Sequence, residues 1–301
     1  MNAGWGELAA FGTALGWAFS SYVHGQVGRM VGATGVTLLR LPFQLCVLGL
    51  LCLASGPAYS LDAHFLLALL LSGVSGVALA DFMLYKGITI IGPQLGLLLI
   101  SLSSPFTALI GWLFLDEAMS FRLLAGITLC LFGIAAVVGD RAGGSLYPGQ
   151  EKPSGRLLAF GAALGVLAAL FQAVSFIAWK WAMADGASPL WATFVRLVMA
   201  AVVLWGTGLF KGWTVRALSD LRTRPGVFKL LLGACLFSSG GMWCAGLAMN
   251  MAPAGVAATI IGLQPVLVTV LASLINRSSP SAKSICGTVI AFAGTAIICL
   301  R

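Results

Sequence analysis

Ten apolar segments of about twenty residues follow one another along the chain, and each is long enough to cross a bilayer as a helix. Short breaks rich in Gly, Pro, Ser and Asp separate them, and none alternates like a β-strand. Only 9% of the residues are charged, against about 25% in soluble domains, so lipid is the solvent for most of the chain. We number the predicted segments as spans 1 to 10: residues 5–27, 33–54, 64–85, 93–115, 121–139, 156–181, 188–209, 227–249, 254–275 and 281–300.

The polar features of the sequence exclude several other classes of protein. The formal net charge is +8, but the basic residues occupy short loops rather than an aromatic-rich stripe, so nucleic acid is not an expected partner. The N-terminus lacks the basic region of a signal peptide, and span 1 is expected to remain as a helix. The cysteines lie in apolar segments without CxxC spacing, which predicts small core residues: Cys46, Cys52, Cys130, Cys235, Cys244, Cys286 and Cys299.

The two halves of the chain resemble each other in sequence. Residues 6–16 align with residues 155–165, and eight of these eleven pairs are identical. We therefore predict one repeat at residues 1–140, a linker at 141–155 and a second repeat at 156–301. Later matches keep the same order in both halves: Arg40 with Arg196, Pro93 with Pro253, Pro105 with Pro265, Gly126 with Gly287, and Gly133 with Gly294.

The odd number of spans in each repeat fixes how the two repeats are oriented relative to each other. With five spans, the second repeat must enter the membrane from the opposite face, and inverted repeats are a common plan of secondary transporters. The predicted fold is an all-α membrane protein with ten transmembrane helices, arranged as two inverted five-helix repeats around a central cavity.

Four motifs stand out in the first half: Tyr85-Lys86-Gly87-Ile88, Ser104-Pro105-Phe106-Thr107-Ala108-Leu109, Leu113-Phe114-Leu115-Asp116-Glu117, and the run from Gly126 to Gly133. Where the first half has Asp116-Glu117, the second has Asn276-Arg277, although it keeps Gln264-Pro265. These motifs make the chain similar to the EamA-type drug/metabolite transporter superfamily. The resemblance implies that spans 1–4 and 6–9 line the cavity, that spans 5 and 10 lie outside it, and that the protein exports small organic solutes, aromatic amino acids among them.

Three ionisable side chains, Arg40, Asp81 and Arg196, lie deep within predicted spans, where charges are costly and often functional. Arg40 and Asp81 are reached from the same membrane face at similar depths, so we expect them to pair. The pair is either a fixed bridge or a gate in which Asp81 couples transport to protons. The position matching Asp81 in the second repeat is Gly241, so Arg196 either binds a solute carboxylate or snorkels to helix-end carbonyls.

Polar and aromatic residues at helical spacing form stripes on spans 1, 4, 6 and 8. Such stripes line a cavity for an amphipathic solute or hold spans together, and the pattern fits both. His24 is either a hydrogen-bonded residue near a helix end or a proton relay. The candidate cavity residues are Trp17, Ser21, His24, Tyr85, Gln94, Ser101, Gln172, Trp179, Arg196, Ser239, Trp243 and Gln264.

Pro105 and Pro265 occupy matching positions inside spans 4 and 9. A proline there removes a backbone donor and kinks the helix, and the kink is either plain structure, a hinge or a solute contact. The sequence contains no nucleophile elbow, Walker motif or metal-ligand spacing, so we expect no enzyme activity, cofactor or metal.

Together with the family resemblance, which implies the substrate class, the best-fitting function is a secondary transporter that exports amino acids or similar metabolites across a bacterial inner membrane by alternating access. The alternatives are a translocase for lipids or other amphiphiles, and a non-transporting helper subunit. The expected partners are a small-molecule substrate and the lipid bilayer, with the chain a monomer or a weak homodimer.

The loop charges make a prediction about orientation. With Arg40 and Arg196 set aside, twelve Lys and Arg residues fall on one membrane face and three on the other. The positive-inside rule then places both termini outside, whereas the family resemblance suggests inside. We predict that alkaline phosphatase fused to the C-terminus is active and that green fluorescent protein fused there is dark. The opposite pair of results would show that the charge argument is wrong.

Overall fold

The computed structural model describes residues 4–55, 62–91, 93–141, 155–184, 186–275 and 281–299, and all regular secondary structure in these ranges is helical. Most of the predicted linker lies outside them. The helices are α1 (Trp5–Ser55), α2 (Ala63–Ser72), a π-helical segment (Gly73–Ala80), α3 (Asp81–Ile91), α4 (Pro93–Ile100), α5 (Ser103–Phe114), α6 (Phe121–Arg141), α7 (Gly155–Ala182), α8 (Pro189–Phe210), α9 (Trp213–Thr223), α10 (Pro225–Met251), α11 (Ala254–Ile261), α12 (Gln264–Ile275) and α13 (Ala282–Cys299).

Spans 1 and 2 are the two arms of α1. One straight helix of 51 residues would measure about 75 Å, more than twice the thickness of the hydrocarbon core. Gly32 interrupts it with φ 76° and ψ 162°, a conformation that glycine adopts without steric cost. A Cβ at Gly28 would lie 3.7 Å from Val36, so the arms are in contact on either side of this break.

The remaining helices account for the other eight spans. Span 3 comprises α2, the π-helical segment and α3, while span 4 comprises α4 and α5 and span 9 comprises α11 and α12. Spans 5, 6, 7, 8 and 10 are α6, α7, α8, α10 and α13. Within the described ranges, seven helical segments are long and apolar enough to cross a membrane, and spans 5 and 10 contain shorter apolar helices. Together with the first arm of α1, these confirm the predicted ten-span, all-helical architecture.

Spans 4 and 9 are each two helices rather than one kinked helix. Turns at residues 101–102 and 262–263 separate α4 from α5 and α11 from α12. Pro105 and Pro265 lie in the first turn of the second helix, where the missing N–H has no intrahelical partner to lose. The predicted kinks are therefore helix breaks, at matching positions in the two repeats.

One helix was not expected from the sequence. The predicted spans leave residues 210–226 as a loop, whereas the structure has the eleven-residue helix α9 there. Gly212, with φ 70°, turns the chain sharply between α8 and α9.

Spans 5 and 10 pack through the four glycines that the repeat alignment matches. A Cβ at Gly126 would lie 2.8 Å from the carbonyl oxygen of Gly294, and the reverse distance is also 2.8 Å. Gly133 and Gly287 form the same reciprocal pair, at 2.6 and 2.9 Å. Backbones approach this closely only where both helices present glycine. The other main contacts of spans 5 and 10 are with spans 4 and 9, so this pair lies at the edge of the bundle.

Glycine contacts between spans 1 and 8 are matched by a glycine contact between spans 3 and 6. A Cβ at Gly16 of span 1 would lie 2.8 Å from the carbonyl oxygen of Phe237 in span 8. A Cβ at Gly87 of span 3 would lie 3.3 Å from the carbonyl oxygen of Gly161 in span 6. Since span 6 is the repeat mate of span 1 and span 8 that of span 3, the two repeats are related by an approximate twofold axis.

The cysteines differ in burial, although all were predicted to be core residues. Cys52, Cys130 and Cys235 are buried, but Cys46 and Cys286 are exposed, so their prediction as core residues is wrong. Both lie on helices whose exposed faces are apolar, where a small hydrophobic side chain suits lipid as well as a protein core.

The glycine contacts predict a difference between two Gly→Ala substitutions. Gly133→Ala places a Cβ against the backbone of Ala291 and Gly287, and we expect a loss of about 1–3 kcal/mol from overpacking. Gly240→Ala, which meets nothing within 4 Å, should be neutral or stabilising. Thermal unfolding of both variants in detergent measures this, and equal unfolding temperatures would contradict the close packing of spans 5 and 10.

Candidate functional site

Arg40 and Asp81 join spans 2 and 3. Arg40 Nη2 donates to Asp81 Oδ2, and the two side chains are 9% and 22% exposed. The Arg40 guanidinium carbon lies 6.0 Å from the ring centroid of Tyr85, one turn beyond Asp81. The carbonyl oxygen of Arg40 accepts a hydrogen bond from Cys235 Sγ at 3.6 Å, which adds span 8 to the group. The contact expected from the depths of the two residues is present, while a role in coupling stays a prediction.

The predicted stripe of span 1 meets the break in span 9. Gln264, the first residue of α12, donates through Nε2 to Ser21 Oγ at 2.7 Å and to the carbonyl oxygen of Trp17 at 3.5 Å. His24 is buried one turn further on, two turns before the end of the first arm. The structure thus brings Trp17, Ser21 and Gln264 together, with His24 one turn further along the same helix.

Arg196 lies in a separate polar cluster between spans 3, 6 and 7. Its Nη2 donates to Ser175 Oγ at 2.8 Å, and its guanidinium carbon lies 3.9 Å from the ring centroid of Trp179. Ser175 and Ser72 tie span 6 to span 3, since each hydroxyl donates to the carbonyl oxygen of the other residue, at 2.7 and 2.8 Å. Gly76 leaves room for this cluster, because a Cβ there would collide with Ser175 and Arg196.

The two clusters together carry more positive than negative charge. Arg196 is 2% exposed, and the described residues place no carboxylate within ion-pairing distance of it. The carboxylate of Asp81 accepts its hydrogen bond from Arg40. The two clusters thus contain two buried guanidinium groups and one carboxylate. In the described part of the chain, Arg196 Nε and Trp179 Nε1 are also buried without hydrogen-bond partners.

The broken spans bring polar groups to the interface between the repeats. Ser104, in the first turn of α5, donates to the carbonyl oxygen of Ala258 in span 9 at 3.0 Å. Ser101, in the break itself, donates to the carbonyl oxygen of Leu97 at 3.0 Å and is buried. Spans 4 and 9 cross where both are interrupted.

The remaining predicted residues are more scattered. Tyr85 and Gln172 are half-buried, and Ser239 is fully buried with no hydrogen-bond partner for its Oγ among the described residues. Trp243 is 37% exposed, and the side chain of Gln94 lies outside the described part of the structure. The role of each as a cavity residue stays a prediction.

An ionic contact between the repeats was not expected from the sequence. Both carboxylate oxygens of Glu117 accept the backbone N–H of Ala254, at 3.0 and 2.8 Å, at the start of α11. Lys180 Nζ lies 2.7 Å from Glu117 Oε1 and donates to the carbonyl oxygen of Ala252 at 2.5 Å. A carboxylate at a helix N-terminus is favoured by the exposed N–H groups and the helix dipole. We call Glu117, Lys180 and Ala254 the inter-repeat clamp.

The clamp lies on the membrane face that holds the N-terminus. Spans 4 and 6 end there and span 9 begins there, and a Cβ at Gly6 would lie 2.8 Å from Ala252. The sequence carries a signal for Glu117 in its acidic pair after span 4, but nothing local identifies its partners 63 and 137 residues away. The buried bond from Gln44 Nε2 to Ser238 Oγ, 2.8 Å long, was missed for the same reason.

A helical membrane protein of two inverted five-span repeats, with buried charges where they meet, has the architecture of a secondary transporter. The model of the EamA-like transporter family matches residues 4–139 and again residues 159–300. The chain therefore belongs to this family and is a transporter of small solutes of the drug/metabolite type. Among solved proteins, one crystal structure superimposes with a TM-score of 0.74 over 97% of this chain and 95% of the other, at 16% identity, a likeness of fold. A search of curated proteins found no significant match.

The inter-repeat clamp predicts unequal effects for two neighbouring charge removals. Glu117→Gln removes the charge that holds Lys180 and weakens the bond to Ala254, and we expect a loss of about 1.5–3 kcal/mol. Asp116→Asn, at an exposed neighbour with φ 51°, should have little effect because Asn tolerates this backbone. Thermal unfolding in detergent compares them.

A double-mutant cycle with Lys180→Met separates the ion pair from the helix cap. If the clamp is intact, Lys180→Met costs less in the Glu117→Gln background than alone. Additive losses would show that the two side chains act independently.

Proposed function

We propose that this transporter exports amino acids or similar small metabolites that carry a carboxylate, by alternating access across a bacterial inner membrane. The observation that carries the proposal is the buried Arg196, which has no carboxylate within ion-pairing distance in the described structure. A buried charge without an opposite charge is unfavourable by several kcal/mol, so binding of a solute carboxylate beside Arg196 is favoured.

The surroundings of Arg196 suit such a ligand. Trp179 holds the guanidinium plane by stacking, and Ser175 takes up one Nη2 donor, so the orientation of the group is fixed before a solute arrives. The free Nε and the remaining N–H groups can then donate to a carboxylate in the bidentate manner. A preorganised site binds more tightly because less conformational entropy is lost on binding.

Alternating access follows from how deeply this site is buried. With 2% exposure, Arg196 is out of reach from either side in the described conformation, so spans must separate for a solute to enter. The inter-repeat clamp lies on the face of the N-terminus, and the Arg40–Asp81 pair lies toward the opposite face. We infer that these ionic contacts open in turn, with the breaks in spans 4 and 9 as joints.

Uptake by proteoliposomes of the purified full chain tests the function. The panel contains labelled aromatic, aliphatic and charged amino acids and a nucleoside, with and without a pH gradient. Saturable uptake of one class would establish a carrier and name its substrate, and a gradient dependence that Asp81→Asn abolishes would assign coupling to Asp81. Folded protein that transports no member would remove amino acids from the proposal and favour a lipid translocase or helper subunit.

Arg196 is tested by comparing a transported amino acid with its amide. We expect Arg196→Gln to reduce transport of the acid about tenfold to a hundredfold, since a charge-assisted hydrogen bond is lost. It should also remove the preference for the acid over the amide. The matched control is Arg122→Gln, at an exposed arginine, which should behave as wild type. An Arg196→Gln protein that still prefers the acid would place the carboxylate site elsewhere.

A further inference from the structure

The short helix α9 presents three different faces. Thr214 and Ala217 are buried against the spans, while Val215 and Leu218 form an exposed apolar face and are 64% and 44% exposed. The third face, which includes Arg216, is polar and exposed. At 100° per residue these faces are adjacent sectors of one helix, as in helices that lie at the boundary of a bilayer.

The spans on either side of α9 also end in exposed apolar side chains. Phe210, at the end of span 7, is 95% exposed, and Phe228, at the start of span 8, is 45% exposed. Span 7 has 22 residues, or about 33 Å of helix, so Phe210 lies near the edge of the hydrocarbon core. α9 begins three residues later and therefore lies at the level of the lipid headgroups.

Contacts with three spans hold α9 in this place. The ring of Trp213 stacks on Phe82 of span 3, with a centroid distance of 6.2 Å and an interplanar angle of 16°. Arg224 Nη1 donates to the carbonyl oxygen of Met30 in span 1 at 2.5 Å, and Thr214 Oγ1 donates to the carbonyl oxygen of Trp205 in span 7 at 3.5 Å. Because the helix is tied down at both ends, its exposed faces are a fixed surface.

The surface is strongly basic. Residues 211–229 contain five basic side chains and one acid, Asp220. All five basic residues are exposed, and the structure shows no ion pair between any of them and a described carboxylate. We call them the α9 basic patch: Lys211, Arg216, Arg222, Arg224 and Lys229.

We propose that the α9 basic patch binds the phosphate headgroups of anionic phospholipids. Positive charge at headgroup level beside an apolar face matches the two parts of such a lipid, phosphate and acyl chain. Nucleic acid or an acidic protein would complement the charge, but neither would cover Val215, Leu218 and Phe210. The proposal is independent of the transported solute, since no residue of the Arg196 cluster belongs to the patch.

The test is native mass spectrometry of the detergent-purified full chain, titrated with phosphatidylglycerol or with phosphatidylcholine of the same acyl chains. We expect the wild type to bind phosphatidylglycerol more tightly. The triple variant Arg216→Gln, Arg222→Gln, Lys229→Gln should lose about fivefold in phosphatidylglycerol affinity per substitution, with phosphatidylcholine binding unchanged. The matched control replaces three exposed basic residues elsewhere with Gln, namely Arg122, Arg156 and Lys283, and should keep the preference.

A second measurement needs no variant. Raising the ammonium acetate concentration from 0.1 to 1 M shortens the Debye length from about 10 Å to about 3 Å and should remove most of the preference. Equal affinity of the wild type for both lipids would overturn the proposal. So would a triple variant that behaves as wild type, or a control that loses as much.

Discussion

A polar group inside a bilayer has no water to bind, and this constraint explains both what the structure pairs and what it leaves unpaired. Backbone groups are satisfied within helices, and side-chain hydroxyls such as Ser72 and Ser175 bond to carbonyl oxygens of neighbouring spans. Charged groups follow the same rule where they can, as Arg40 and Asp81 do. Against that background Arg196 is the exception, because its charge is buried beside an aromatic ring without a carboxylate of its own among the described residues.

The approximate twofold symmetry makes this exception informative. The repeats share glycine contacts, helix breaks and an arginine at matching positions, so the scaffold is nearly equivalent seen from either membrane face. The acids are not shared, since Asp81 corresponds to Gly241 and Glu117 to Arg277. A symmetric scaffold provides two related conformations, whereas unequal charges determine which is preferred and what binds. The differences between the repeats are therefore better guides to substrate and coupling than their similarities.

What the sequence could predict depends on the range of the interactions. Long apolar segments and an odd number of spans per repeat fix the ten-span inverted architecture, and helix rise alone gives Arg40 and Asp81 similar depths. Some contacts depend on the rotation and tilt of helices that are distant in sequence, and these were not predictable. Examples are the contacts of Glu117 with Ala254 and of Gln44 with Ser238. α9 was missed because its hydrophobic pattern is too short to stand out in a basic loop. Pro105 and Pro265 gave the positions of the breaks but not their form.

Charge balance also bears on how a transporter of this design moves. Arg40 is paired with Asp81, whereas Arg196 has no carboxylate within ion-pairing distance among the described residues. Under the proposed function, a bound carboxylate would supply the second negative charge, so the loaded site is balanced while the empty one is not. Burying a balanced pair of charges costs less than burying one alone. The loaded protein would then pass through a closed, dry intermediate more readily than the empty protein, which is the condition for coupling solute binding to the change of access.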